Sequence, residues 1–365
     1  MVTWLKIYLL ITFSAIGFSM FFTHIFRIIA LKTGFVDKPA SQEHKAHREP
    51  IPLLGGAAIC LSVLSTVIFG YVVAGSLNKS FINTEVLNAL PGLNRISFRI
   101  IAIALGGIVA VLTGLYDDKF NMSAKHKLLL QFVAASIAVI WGKVEISAFI
   151  SYPYLSWGIT VFWIVLIMNA VNFFDNMDGL AAGTATIAFA FFSITAAMHG
   201  QYFVAALGAA FTGATLGFWF FNHSPAVIFM GDSGSLLLGY MLAVMSCMVT
   251  YYKTDSGDSP LSILIPFFIL AIPLFDTAAV VIIRLKNHKH IYIGDNNHIS
   301  HRFLKMGLSR KTSVFLVHLL VLTIGMSVLP LLWGDKKTTA VSLLQAVTIL
   351  LLISVLQYTG RKHDS

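Results

Sequence analysis

Charge is scarce in this 365-residue chain: Asp, Glu, Lys and Arg make up 11% of it, against 57% hydrophobic residues, and the mean hydropathy is +0.81. So little charge excludes an ordinary soluble domain and assigns the chain to a membrane. Cysteine is scarcer still. Cys60 and Cys247 both lie inside apolar runs, without a short-range partner or metal-ligand spacing. That excludes a disulfide framework or a cysteine zinc site and leaves both as packing residues. Acid is short relative to base, 16 residues against 25, for a net charge of +9. Such a balance can mark a nucleic-acid binder, but there is no basic domain and no interleaved aromatic platform. The Lys and Arg residues lie between apolar runs, where membrane topology accounts for them, so no nucleic-acid partner is expected.

What the chain has in abundance is long apolar stretches. A hydrocarbon core about 30 Å thick takes about 20 helical residues to cross. Runs of that kind fall at approximately 4–26, 53–74, 96–116, 128–141, 157–174, 180–198, 203–221, 235–251, 261–283, 314–333 and 340–356, the fourth being the shortest. The first run continues past signal-peptide length, meets His24 and Arg27 and shows no small-residue cleavage site, so it is expected to stay as an anchor. The expected fold is all-α: a polytopic integral membrane helix bundle of about 10–11 transmembrane helices in one domain spanning 1–365.

Orientation follows from the basic residues. Sixteen of the 25 lysines and arginines fall in the loops after odd-numbered runs or in the C-terminal tail. Positive charge stays on the cytoplasmic side, which predicts an N-terminus outside, a C-terminus inside, and loops 32–50, 117–127 and 284–311 in the cytoplasm. Asp117, Asp118, Asp175, Asp178, Asp232 and Asp295 all follow odd-numbered runs as well. Short polar loops alone could hold them, but carboxylates at the ends of apolar helices are costly unless they bind something.

Four motifs carry the chemistry. In Gly114-Leu-Tyr-Asp-Asp-Lys119, two adjacent carboxylates precede Lys125, His126 and Lys127. Coupled like charges raise one pKa, as suits a base or a metal site, and lysines suit phosphate; alone, the pair also fits a solvated loop. In the segment from Asn169 to Leu180, polar residues recur at Asn169, Asn172, Asp175 and Asp178. On a helix, the first three would share roughly one face on a common cavity, with Gly179 breaking the helix. Packing alone does not explain such a series.

The third motif, Phe221 to Ser235, sets Asp232 between glycines just before a run. Glycines let backbone N–H groups approach a phosphate, and a lone carboxylate suits Mg²⁺, which prefers one or two carboxylates plus substrate phosphates; a capped tight turn is the plainer alternative. The fourth, Gly294 to Arg302, brings His298 and His301 beside Arg302. Zinc would need a third nitrogen or sulfur ligand, whereas imidazole and guanidinium groups bind diphosphate oxygens. Asp276, inside the ninth run, is either functional or paired with a neighbouring polar group.

The order of these motifs, each after an odd-numbered run, resembles the polyprenyl-phosphate N-acetylhexosamine-1-phosphate transferase superfamily between Gly34 and Gly307. Within it, Val36-Asp-Lys-Pro39 and the stretch from His47 to Gly56 are similar to the first loop of the GlcNAc-1-phosphate transferases rather than of the pentapeptide-sugar translocase. The fourth motif departs from the enterobacterial form at Ser300. The resemblance implies a multi-pass inner-membrane enzyme with its active site in the cytoplasm. It implies a Mg²⁺ cofactor, with Mn²⁺ as a substitute, and as partners a polyprenyl phosphate, expected to be undecaprenyl phosphate, and a UDP-amino sugar. UMP would be released and a lipid-linked surface polysaccharide begun, with a homodimer left open.

By the same resemblance, Asp232 and Asn172 are expected at the metal, Asp117 and Asp118 at the lipid phosphate and in proton removal, and Asp175 and Asp178 in the nucleotide and metal region. Asn169, Lys125, Lys127, His298, His301 and Arg302 are expected to hold substrate. The alternative class is an ion- or proton-coupled transporter with Asp175, Asp178 and Asp276 as its relay. Transporters place such charges near the midplane and carry internal repeats, and this chain does neither.

Overall fold

The computed structural model describes residues 2–37, 50–76, 84–146, 152–251, 260–288, 290, 297–333 and 336–360. Most of the first-loop motif, including Lys38, Pro39 and His47 to Glu49, lies outside the described residues, as does Asp295.

The apolar runs become helices because a bilayer offers no water to backbone N–H and C=O groups, which must pair within the segment. Helix α1 covers Val2–Thr33, α2 Gly55–Ser76, α3 Thr84–Phe120 and α4 Ala124–Ser136, the last continuing through a π-helical turn at Ile137–Trp141. Then come α5 (Pro153–Phe174), α6 (Leu180–Met198), α7 (Tyr202–Asn222) and α8 (Gly231–Met248). A 3₁₀ turn at Pro260–Leu264 leads into α9 (Ile265–Ile269), and α10 (Ala271–Lys286), α11 (Ile299–Lys305), α12 (Arg310–Met326), α13 (Leu329–Trp333) and α14 (Lys336–Gly360) follow. A short antiparallel pair, β1 (Val36–Asp37) with β2 (Ile51–Pro52), closes the base of the first loop.

Among the described residues nine helices are long and apolar enough to cross a membrane, ten with the broken segment 261–286. All eleven expected runs coincide with helix. The fourth is longer than its apolar run, because it starts at Ala124 and spans 18 residues. The ninth is bent by 70° between Ile269 and Ala271. Pro273 explains the bend: it has no N–H for the Ile269 carbonyl and its ring crowds that turn, while Pro266 opens the preceding short helix. The eighth expected run is α8, which is not one of the nine.

Helix α8 is the axis of the bundle. Every residue from Ser233 to Ser246 is buried, and α2, α3 and α5 pack around it, while α1 lies on α7 and α2. Outward side chains such as Leu10, Phe13, Phe98, Leu112 and Leu351 are exposed, an arrangement stable when hydrocarbon is the solvent.

Candidate active site

The α3 and α8 ends meet closely enough for their polar residues to touch. A Cβ at Gly114 would overlap the Ser233 backbone, so only glycine permits this approach. Gly231 opens α8 with φ of 68°, and a Cβ there would strike the Asp118 carboxylate. Asp118 uses this proximity: its Oδ1 accepts from the Asp232 N–H at 2.8 Å and its Oδ2 from the Ser233 N–H at 3.3 Å. It is the anionic cap of α8, supplied from another helix. The neighbouring loop is pinned to the same place, since Phe229 N donates to Pro52 O (2.8 Å) and the N–H groups of Gly55 and Gly56 donate to Phe229 and Met230 carbonyls.

Asp117, one residue earlier, points elsewhere. Its Oδ1 accepts from Met122 N at 2.6 Å and its Oδ2 pairs with Lys127 Nζ at 2.9 Å. Lys127 also donates to Asp232 Oδ2 at 2.6 Å and to Asn172 Oδ1 at 3.2 Å. Asn172 Nδ2 in turn donates to Asp232 Oδ1 (2.7 Å) and Ser235 Oγ (2.8 Å). One ammonium is therefore held by oxygens from three helices, α3, α5 and α8. Asp175 follows α5 and has no side-chain hydrogen bond among the described residues. Burial first, and then the charges of Asp232, Asp118 and Asp178, push its carboxyl up to about 8. Negative charge at this end exceeds what Lys127 can neutralise.

Other expected residues are placed differently. Asn169 is a packing group: its Nδ2 donates to Gln131 Oε1 (2.7 Å) and Val165 O (2.8 Å), and Gln131 Nε2 returns a bond to Asn169 Oδ1 at 3.3 Å. A three-residue repeat drifts around a 3.6-residue helix, so Asn169 and Asn172 meet different neighbours. Helix α5 also ends at Phe174, before the expected break at Gly179, whose φ of 75° instead starts α6. Asp178 accepts from Ala226 N at 3.2 Å, and Asn222 bridges Gly179 N and Ile228 O, joining the second and third motifs. Lys125 is exposed and does not join the cluster.

Of the fourth motif, His298 is buried and its Nδ1 lies 2.6 Å from Asp276 Oδ2, while Asp276 Oδ1 accepts from Ile299 N at 2.6 Å. Arg302 Nε donates to Asn297 O at 2.9 Å. Ser300 Oγ donates to Asn176 Oδ1 at 2.6 Å, so α11 is attached to the loop that carries Asp175 and Asp178. His301 is held down at about 4 by burial and then by the nearby His298, Arg310 and Lys305. Sequence spacing gave no sign of Gln131, Asn176 or Asn222; their polarity within or beside apolar runs was the available signal.

A helical membrane bundle that gathers carboxylates, one ammonium and a glycine-opened helix start at one end defines a class of protein suited to handling a charged phosphate group. Comparison with known proteins places the chain more narrowly. Residues 100–250 match the family described as glycosyl transferase family 4. The chain is 36% identical over 308 residues, 82% of its length and 77% of the relative's, to a probable undecaprenyl-phosphate N-acetylglucosaminyl 1-phosphate transferase of Bacillus subtilis. It is 28% identical over 317 residues, 83% of its length and 78% of the relative's, to the Escherichia coli undecaprenyl-phosphate alpha-N-acetylglucosaminyl 1-phosphate transferase. To the decaprenyl-phosphate N-acetylglucosaminephosphotransferase of Mycolicibacterium smegmatis it is 27% identical over 379 residues, 97% of its length and 89% of the relative's. The chain belongs to glycosyl transferase family 4.

Proposed function

We propose that this protein transfers GlcNAc 1-phosphate from UDP-GlcNAc to undecaprenyl phosphate at the cytoplasmic face of the inner membrane, releasing UMP and starting a lipid-linked surface polysaccharide. The observation that carries this reading is the convergence of Asp117, Asp118, Asn172, Asp175, Asp232 and Lys127 at one end of a bundle whose relatives are named for that transfer. An apolar bundle can receive the prenyl chain, and the polar end meets the soluble nucleotide.

A divalent cation fits this donor set. Lys127 Nζ already draws oxygens of Asp117, Asp232 and Asn172 to within 3.2 Å of one positive charge, and Asp175 adds an unpartnered carboxyl. Among the described residues no three His, Cys, Asp or Glu side chains form a ready metal cage. The oxygen donors named above suit Mg²⁺, which is commonly held by one or two carboxylates together with substrate phosphates. Asp232, with Asn172 and Asp175 beside it, would hold the ion. Mg²⁺ would neutralise the donor diphosphate and polarise its β-phosphorus.

In the transfer, an oxygen of the lipid phosphate attacks the β-phosphorus of the donor. The bond from that phosphorus to the oxygen bridging the α-phosphate breaks, and that oxygen leaves on UMP. A lipid phosphate is ionised near neutral pH, so the residues serve mainly to position and stabilise. Lys127 neutralises charge on the reacting phosphates, and His298, His301 and Arg302 hold phosphate oxygens from α11. Asp118 keeps the α8 start in place.

The test uses sealed membranes. Inverted vesicles carrying the protein should release UMP from UDP-GlcNAc when undecaprenyl phosphate and Mg²⁺ are present, and right-side-out vesicles should not, because the nucleotide cannot cross. Absence of release from both preparations refutes the activity; release only from right-side-out vesicles reverses the orientation.

A further inference from the structure

We infer that Asp276, buried in the second limb of the broken span, is a positioning residue of the transfer site that acts through His298. The inference rests on the transferase reading above and assigns a role to a carboxylate that reading does not use.

Asp276 is 1% exposed and His298 4% exposed. A carboxylate sealed from water at that depth is costly unless its oxygens are occupied, and both are. Oδ2 meets His298 Nδ1 and Oδ1 takes the Ile299 N–H, each at 2.6 Å. We assign the imidazole hydrogen to Nδ1, the arrangement in which Asp276 accepts at both of its oxygens. His298 Nε2 is then the free nitrogen, able to accept a hydrogen bond when the ring is neutral or to donate to a phosphate oxygen when it is protonated. Asp276 thus fixes both the ring orientation and which nitrogen is free, as outer partners do for working histidines elsewhere.

The same carboxylate sets where α11 begins, because it caps the N–H of the first residue of that helix. Helix α11 has only seven residues and cannot hold itself in place. Its second attachment, Ser300 to Asn176, ties it to the Asp175–Asp178 loop. Asp276 belongs to α10, whose Arg284 guanidinium sits over the Phe173 ring at 5.6 Å, at the end of α5. The second limb of the broken span therefore holds the histidine segment and rests on the carboxylate segment. A substitution at Asp276 should reach the chemistry without touching substrate.

A double-mutant cycle on the full-length protein in detergent, read as UMP release, tests this. Asp276→Asn keeps the shape but offers an amide N–H to Nδ1, so the imidazole hydrogen moves to Nε2. The expected result is a loss of kcat of about 10- to 100-fold, and little further loss when Asp276→Asn is added to His298→Ala, because the two act as one unit. Losses that multiply in the double variant, or a parental rate in Asp276→Asn, overturn the inference. Nitrogen-15 NMR of histidine-labelled parent protein, with the His298 signal found by its disappearance in His298→Gln, gives a reading that does not require the Asp276 variant to fold. Nδ1–H is expected and Nε2–H refutes. If the parent itself releases no UMP, it is the transferase reading that fails, and the tautomer still decides the Asp276–His298 pairing.

Discussion

The carboxylate end of the bundle and the histidine segment are built on opposite plans. At the carboxylate end, α3 and α8 touch backbone to backbone through Gly114, and Asp117 and Asp232 share one lysine with Asp118 and Asp175 close by. In the histidine segment a short helix hangs on side-chain hydrogen bonds, and a single buried carboxylate faces His298 among basic neighbours. The first plan gives a fixed, over-negative cluster that calls for a cation. The second gives a segment tethered by side chains, whose imidazole and guanidinium groups suit an anion. A diphosphate donor carrying a metal ion needs both, and they lie side by side through Asn176 and Ser300.

The sharpest way to break this contrast is Asp232→Asn. Removing that charge should cut UMP release by at least about 10³-fold and weaken Mn²⁺ binding, read by titration with and without UDP-sugar. Parental Mn²⁺ binding in the variant would mean that the cation belongs elsewhere.

Rigidity comes next. Gly114→Ala should push α3 from α8 and cost about 1–3 kcal/mol of stability, seen as a lower melting temperature in detergent along with reduced turnover. Gly17→Ala, where a Cβ meets nothing within 4 Å, should leave both unchanged. Equal effects at the two positions would refute the close-contact plan.

The over-negative cluster predicts a pH signature. The Asp175 carboxyl is pushed up to about 8 in the folded protein, against roughly 4 when unfolded. The stability this group contributes is fully present below about pH 4 and is lost as pH rises through about 8, because the ionised form is penalised only in the folded state. Metal-free protein should accordingly melt at falling temperatures over that range, and Asp175→Asn should flatten the trend. A parental slope in the variant would assign the titration to another group.

The smallest effect is expected at Lys125→Ala. This lysine is exposed and outside the cluster, so turnover should change by less than about twofold. A loss comparable to that of Lys127→Ala would show that the working site extends further than the hydrogen-bonded cluster.

The helices were legible because hydrophobic length in a bilayer is a strong, local constraint: even the broken ninth span was present as one run. The cluster was legible in membership more than in role. Asp117 and Asp118 read as one coupled pair, yet they face different partners, since Asp118 answers a backbone 114 residues away that only the Gly114 contact brings near. Asn169 followed the periodic series but found Gln131 across a helix pair, where spacing along the chain has no say. The link from Asp276 to His298 crosses a loop and joins one residue of an apolar run to one of a polar motif. Local pattern names the groups at helix ends; tertiary contact decides which of their atoms are free.

Helix α8 carries a consequence for how the protein is made. It opens with Gly-Asp-Ser-Gly-Ser ahead of an apolar stretch, and its residues from Ser233 to Ser246 are sealed inside the bundle. Lipid cannot accommodate that polar start, which is satisfied instead by Asp118 of α3 and Asn172 of α5. Both helices are synthesised earlier. Burial of that start is then an act of docking onto partners already in place, so damage to α3 or α5 should appear first as a chain whose eighth segment is misplaced and cleared by quality control.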